Sequence, residues 1–180
     1  MRGTAVLCGI AALAACGDST GVVTLTPQDV TGSYEVCSLV FQPENPTQPA
    51  VDIRTAVFET EDTAGVQQPR LAVDQQPREF ALLYTRKGQF VPQNITGNYD
   101  LTASGLTLKF PGGSNPGGFL LPDRLALEFQ ASPMVLWTDS SDRYSVPRSD
   151  YARLAGVPET GLADQIPGHL SARFEDRFCH

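Results

Sequence analysis

The sequence predicts an all-β domain, either a single antiparallel up-and-down β-barrel of about eight strands or a β-sandwich, with one short helix near the C-terminus. Short runs of β-branched, aromatic and leucine residues recur along the chain, and Gly, Pro, Asn and Asp cluster between most of them. A second observation is that two cysteines, Cys37 and Cys179, stand near the two ends of this strand-rich region.

The first strand is expected over 34–41, Tyr-Glu-Val-Cys-Ser-Leu-Val-Phe, which runs into Gln42-Pro43-Glu44-Asn45-Pro46. Prolines donate no ladder hydrogen bond, so that stretch is a turn. Residues 51–60, 70–73, 80–85, 98–102, 106–110, 125–129 and 134–138 follow the same grammar. Arg86-Lys87-Gly88-Gln89 and Ala103-Ser104-Gly105 read as hairpin turns. Helix is expected only over 148–156, with Ser149-Asp150 as the cap and Gly156 as the stop. The tail 169–178 alternates well enough (Leu170, Ala172, Phe174) to be a closing strand, with a helix as the alternative.

Pro27-Gln28-Asp29-Val30-Thr31-Gly32-Ser33-Tyr34-Glu35-Val36 is echoed by Pro92-Gln93-Asn94-Ile95-Thr96-Gly97-Asn98-Tyr99-Asp100-Leu101. In both copies the glycine is expected to bend the chain at positive φ and the tyrosine to enter the core. A duplicated half-barrel and a coincidence of turn chemistry both fit. Thr31-Gly32-Ser33-Tyr34 resembles the Gly-x-aromatic start of strand one in the lipocalin and calycin barrels, with Tyr34 in place of their usual tryptophan. The resemblance implies a cup-shaped barrel holding a small apolar ligand. Pocket residues drawn from the alternating strands are Tyr34, Phe80, Leu82, Tyr84, Tyr99, Phe129 and Trp137, most of which an ordinary packed core also needs.

The first residues carry a separate signal. Met1-Arg2 precedes a short apolar run, about half the length needed to span a bilayer, that closes on Leu13-Ala14-Ala15-Cys16. These four residues resemble the lipobox of bacterial lipoproteins, in which the cysteine is lipidated and the preceding peptide removed. The expected organisation is a signal peptide over 1–15, a lipidated tether over 16–26 and a barrel domain over 27–180. Lipid on Cys16 is then the membrane anchor, and the tether spans about 33 Å when extended. Gly17 directly after the cysteine, with Asp18 one place later, favours the outer over the inner membrane if the cell has two. With Cys8 lost and Cys16 modified, Cys37 and Cys179 are the cysteines left to pair in an oxidising compartment.

The chain carries 20 acidic and 13 basic side chains, and loss of Arg2 with the leader takes its formal charge from −7 to −8. Such acidity disfavours nucleic acid and anionic lipid surfaces. Catalytic and cofactor signatures are lacking. The two histidines are His169 and His180, and there is no Gly-x-Ser-x-Gly elbow, HExxH or CxxC pair. Asp139-Ser140-Ser141-Asp142 lacks the glycine and distal glutamate of a calcium loop and reads as a polar hairpin turn. Pro111-Gly112-Gly113-Ser114-Asn115-Pro116-Gly117-Gly118 has no following Gly-Lys-Ser/Thr, so it is expected to be a loop at one rim, with a lid as its functional reading. No enzyme, metal or cofactor is expected. The two functions left are binding of a small apolar ligand and a structural or interaction role with another envelope protein through a filled barrel.

Overall fold

The computed structural model describes residues 24–61, 65–112, 115–177 and 179, so the expected leader, Cys16 and most of the expected tether lie outside these residues. Ten strands form one antiparallel sheet. They are β1 (Gly32–Pro43), β2 (Val51–Asp52), β3 (Arg70–Val73), β4 (Glu79–Thr85), β5 (Pro92–Leu101), β6 (Gly105–Lys109), β7 (Arg124–Ala131), β8 (Met134–Thr138), β9 (Tyr144–Pro147) and β10 (Gln165–Glu175). Eight of them close a barrel in the order β1-β3-β4-β5-β6-β7-β8-β10, because β10 pairs back onto β1 from Glu35↔Glu175 to Pro43↔Gly168. The two long strands outrun their neighbours at one end, where β2 flanks β1 and β9 flanks β10. The fold is therefore the barrel, not the sandwich.

Alternation fixes the inside. Tyr34, Val36, Leu39 and Phe41 of β1, Leu71 and Val73 of β3, Phe80, Leu82 and Tyr84 of β4, Leu125 and Leu127 of β7, and Leu170 and Phe174 of β10 are all buried. The parity of β1 switches between Val36 and Leu39 because Cys37 is an extra residue opposite β10, where Val36 faces Phe174 and Ser38 faces Arg173. This bulge takes Cys37 out of the ladder. Cys37 is bonded to Cys179, with Cα atoms 5.3 Å apart.

Short helices cap the two ends. At the end where β1 begins, α1 (Pro27–Val30) is held by Asp29, whose carboxylate accepts from the Thr26 amide and hydroxyl. Val30 drops into the barrel, and its carbonyl accepts the buried Tyr34 hydroxyl at 2.8 Å. The opposite end is covered by α2 (Ile53–Val57), α3 (Arg148–Ala155) and residues 119–121, all three of which are buried.

The run 51–60 is not one strand. After Asp52 it turns into α2, because the Asp52 carboxylate accepts the Thr55 amide and Arg54 Nε donates to the Val36 carbonyl, a local cap and a tertiary bond that together outweigh β propensity. α3 and its Gly156 stop occur as expected (φ 67°), but its cap position is Pro147 and no side chain caps it. The echo is not a repeated unit: its first copy is a helix followed by a strand, its second lies wholly in β5. Neither Gly32 nor Gly97 has a positive φ. Gly97 is needed for closeness instead, since a Cβ there would lie 2.2 Å from the Lys109 carbonyl oxygen and 2.8 Å from the Phe80 ring. Residues 139–142 connect β8 to β9, which pairs with β10, so they are not a hairpin turn.

The disulfide joins residues 142 apart in sequence. The chain-entropy account assigns a loop of that length about 4–5 kcal/mol. Replacing both cysteines by alanine is expected to lower unfolding stability by an amount of that order in urea titrations, with the barrel's far-UV signal retained.

Candidate functional site

The barrel interior is the first place to look for a site, and it is full. At its centre Leu39, Leu71, Leu82, Leu108, Phe110, Leu121, Leu125 and Phe174 surround a void of about 10 Å³. That is room for about one water-sized sphere, and the lining is apolar, so it offers neither the space for a ligand nor the polar partners a water needs. Above this layer, at the end covered by α2 and α3, Phe58, Tyr84 and Phe119 form a three-ring cluster with centroids 5.1 to 5.7 Å apart. Phe119 is presented by the 110–123 connection. Asn115 braces that segment, accepting the Leu120 amide and donating to the Asp150 carboxylate. Residues 119–121, just after the expected rim loop 111–118, therefore plug the mouth.

Of the residues expected to line a pocket, Tyr34, Phe80, Leu82, Tyr84 and Tyr99 all point inward and are buried. Only Leu82 borders the central void. The Tyr34 and Tyr99 hydroxyls are spent on the carbonyls of Val30 and Asp74, each at 2.8 Å. Burial raises the phenol pKa of both, as it does for Tyr84 and Tyr144, so these groups stay neutral donors. Phe129 is half-buried and lies at the α1 end, where with Leu25, Asp29, Ala131 and Met134 it borders an open groove of about 210 Å³. Trp137 is on the outer wall: it sits opposite Glu128 and Arg173, while its neighbour Leu136 faces Phe129 and Phe174 inside. Lipidation at Cys16 falls outside the described residues.

His169 lies near Ser141 and Glu44, a trio that resembles a hydrolase triad in composition only. The Ser141 hydroxyl donates to the Asp142 carbonyl and accepts the Leu170 amide, which pins the 139–142 connection to β10. His169 Nδ1 is 2.9 Å from the Ser141 carbonyl rather than from the hydroxyl, and its Nε2 is 3.9 Å from Glu44. Glu44 is paired with Arg143, whose hydrogen bond holds its carboxyl below the usual range. A serine nucleophile needs its hydroxyl on the imidazole, and here that hydroxyl is committed to the backbone. Among the described residues no group of three His, Cys, Asp or Glu side chains is placed to hold a metal ion.

A hairpin tip on the outer surface is a feature that sequence reading missed. Phe90 and Val91 are 75% and 67% exposed, and they share the β4–β5 hairpin tip, since Thr85 pairs with Pro92. Their signal in the sequence was two large apolar residues just after the Lys87-Gly88 turn, outside any alternating run. The tip lies at the α2/α3 end, opposite the end where the N-terminal segment enters. No family model, no curated protein and no solved structure matches this chain.

A filled interior makes a definite demand on mutants. Leu82→Ala is expected to cost about 3 kcal/mol in urea titrations, because the rigid wall leaves a cavity next to the existing void. A loss below about 1 kcal/mol would mean that the interior can collapse and is not rigidly packed.

Proposed function

We propose that this chain is an exported, non-enzymatic envelope lipoprotein, anchored through lipid on Cys16, whose solid barrel is a platform holding the 86–91 hairpin out toward another envelope protein. The observation that carries this is the filled interior: about 10 Å³ of free space supports a packed strut over a cup for an apolar ligand. The two ends then have different jobs. The tether enters at the α1 end, so lipid on Cys16 turns that end toward the membrane. The hairpin tip stands beyond the far end of β4, whose seven residues alone span roughly 24 Å. Phe90 and Val91 are suited to fill an apolar pocket on a partner, and aromatic anchors of that kind supply a large share of interface energy.

Two measurements test the reading. Cys16→Ser is expected to move the protein from the membrane to the soluble fraction of the envelope. A photo-reactive phenylalanine analogue placed at position 90 in living cells is expected to give one discrete protein adduct, whereas the same probe at Thr96, on the exposed outer face of β5, gives none. Adducts of equal strength from both positions, or from neither, would remove the hairpin from the account.

A further inference from the structure

We propose that the cleft beside this hairpin binds the carboxylates of an acidic peptide segment on the partner protein. The inference rests on the platform reading and gives the partner its chemistry. Three elements distant in sequence build the cleft, which has a volume of about 170 Å³: α2 contributes Ala56 and Val57, the hairpin Arg86 and Lys87, and α3 Arg153 and Leu154. Ala56, Val57 and Leu154 give its lining an apolar part, and Arg86, Lys87 and Arg153 are its charged groups. In a chain of net charge −7 this cleft gathers three cations against two nearby carboxylates, Asp150 and Glu59.

The cations are held from behind by the main chain. Lys87 Nζ donates to the Thr55 carbonyl at 3.1 Å, and the Lys87 amide to the Val57 carbonyl at 2.8 Å. The Arg86 guanidinium lies 5.0 Å from the centre of the Phe119 ring and donates to the Gly117 carbonyl at 3.2 Å. Arg153 donates to the Gly118 carbonyl at 2.9 Å and to Asp150 at 3.0 Å. Each arginine has five N–H donors and lysine three, so every cation keeps donors to spare. Among the described residues neither Arg86 nor Lys87 forms an ion pair with a carboxylate, and Arg153 forms one, with Asp150. Glu59 is close enough to Lys87 to feel its charge, but its carboxylate is taken up by the amides of Gly88, Glu61 and Thr60. Each of the three side chains thus has a main-chain anchor before a ligand arrives, which lowers the entropic cost of binding.

A peptide segment fits this cleft better than an anionic membrane. A broad anionic surface meets the acidic body as well as the cleft and is repelled by it, whereas a single segment meets the three cations together with the carboxylates of Asp150 and Glu59, both already engaged. Phe90 and Val91 on the same hairpin offer the apolar contact that such a segment needs beside its acids.

The test uses the full chain carrying Cys16→Ser, isotopically labelled, with acetylated tetraglutamate amide as probe. Amide resonances at 55–57, 86–88 and 153–154 are expected to shift, and the affinity to weaken as salt rises. Lys87→Glu is expected to weaken binding at least about threefold, a modest change in keeping with an exposed pair. Lys87 is exposed and its side chain holds a single carbonyl, so this variant is expected to melt at the parent's temperature. Lys87→Gln serves as the second variant if it does not. Equal binding of tetraglutamine, unaltered binding by both variants, or response to phosphatidylglycerol vesicles without response to the peptide would overturn the proposal. A position-90 adduct that persists at full strength in Lys87→Glu would overturn the anion cleft and leave the platform standing. Loss of the adduct in the parent as well would remove both.

Discussion

Pairing of the first strand with the last is the constraint on which the structure depends. β1 and β10 share the longest ladder in the sheet, from Glu35↔Glu175 to Pro43↔Gly168, and without it the other strands form an open sheet with two unprotected edges. The pairing is costly to reach, because it joins opposite ends of the chain and most of the loop-closure entropy must be spent before it forms. Two local devices secure it. Gly168 allows β1 to come close, since a Cβ there would lie 2.5 Å from both the Gln42 carbonyl oxygen and the Phe41 ring. The bulge at Cys37 lets one cysteine leave the ladder and bond to Cys179 just beyond β10, locking the seam covalently.

Closure determines what the inside is able to do. An eight-stranded barrel is just wide enough for side chains to fill, and here tyrosines, phenylalanines and leucines from every strand do so, with α1 sealing one mouth and residues 119–121 the other. The polar atoms of the large buried side chains are used internally, as with Tyr34 on Val30 and Tyr151 on the Pro49 carbonyl. What remains available to other molecules is on the outside. That surface is polarised along the barrel axis, with the N-terminal segment entering at one end and the exposed Phe90–Val91 tip at the other, beside three cations.

Much of this was legible in the sequence because strands with one dry face announce themselves by alternation. Apart from 51–60 every expected strand, the closing tail included, and the C-terminal helix overlap observed elements, although β5 begins at Pro92 and not at 98, and the cysteine pair followed from elimination and the oxidising compartment expected of an exported chain. Elements set by long-range contacts were not legible. Ile53, Thr55 and Val57 look like strand residues, and only the Asp52 cap and the Arg54 bond to β1 make them a helix. β9 is too short to show a period. Trp137 was misleading because Val135 and Leu136 are both apolar, so the facing of β8 is ambiguous until its register with β7 and β10 is known. The cationic cleft was invisible for a similar reason: its walls come from segments about 30 and 65 residues apart, and only the closed barrel brings them together.

Native mass spectrometry of the Cys16→Ser protein, purified from the producing cells and weighed before and after organic extraction, distinguishes a solid barrel from a hollow one. A single mass that extraction does not change, lighter than the reduced chain by the two hydrogens of one disulfide, is the predicted result. An added lipid-sized mass that disappears on extraction would contradict it, because the chain would then contain a cavity that this packing does not have.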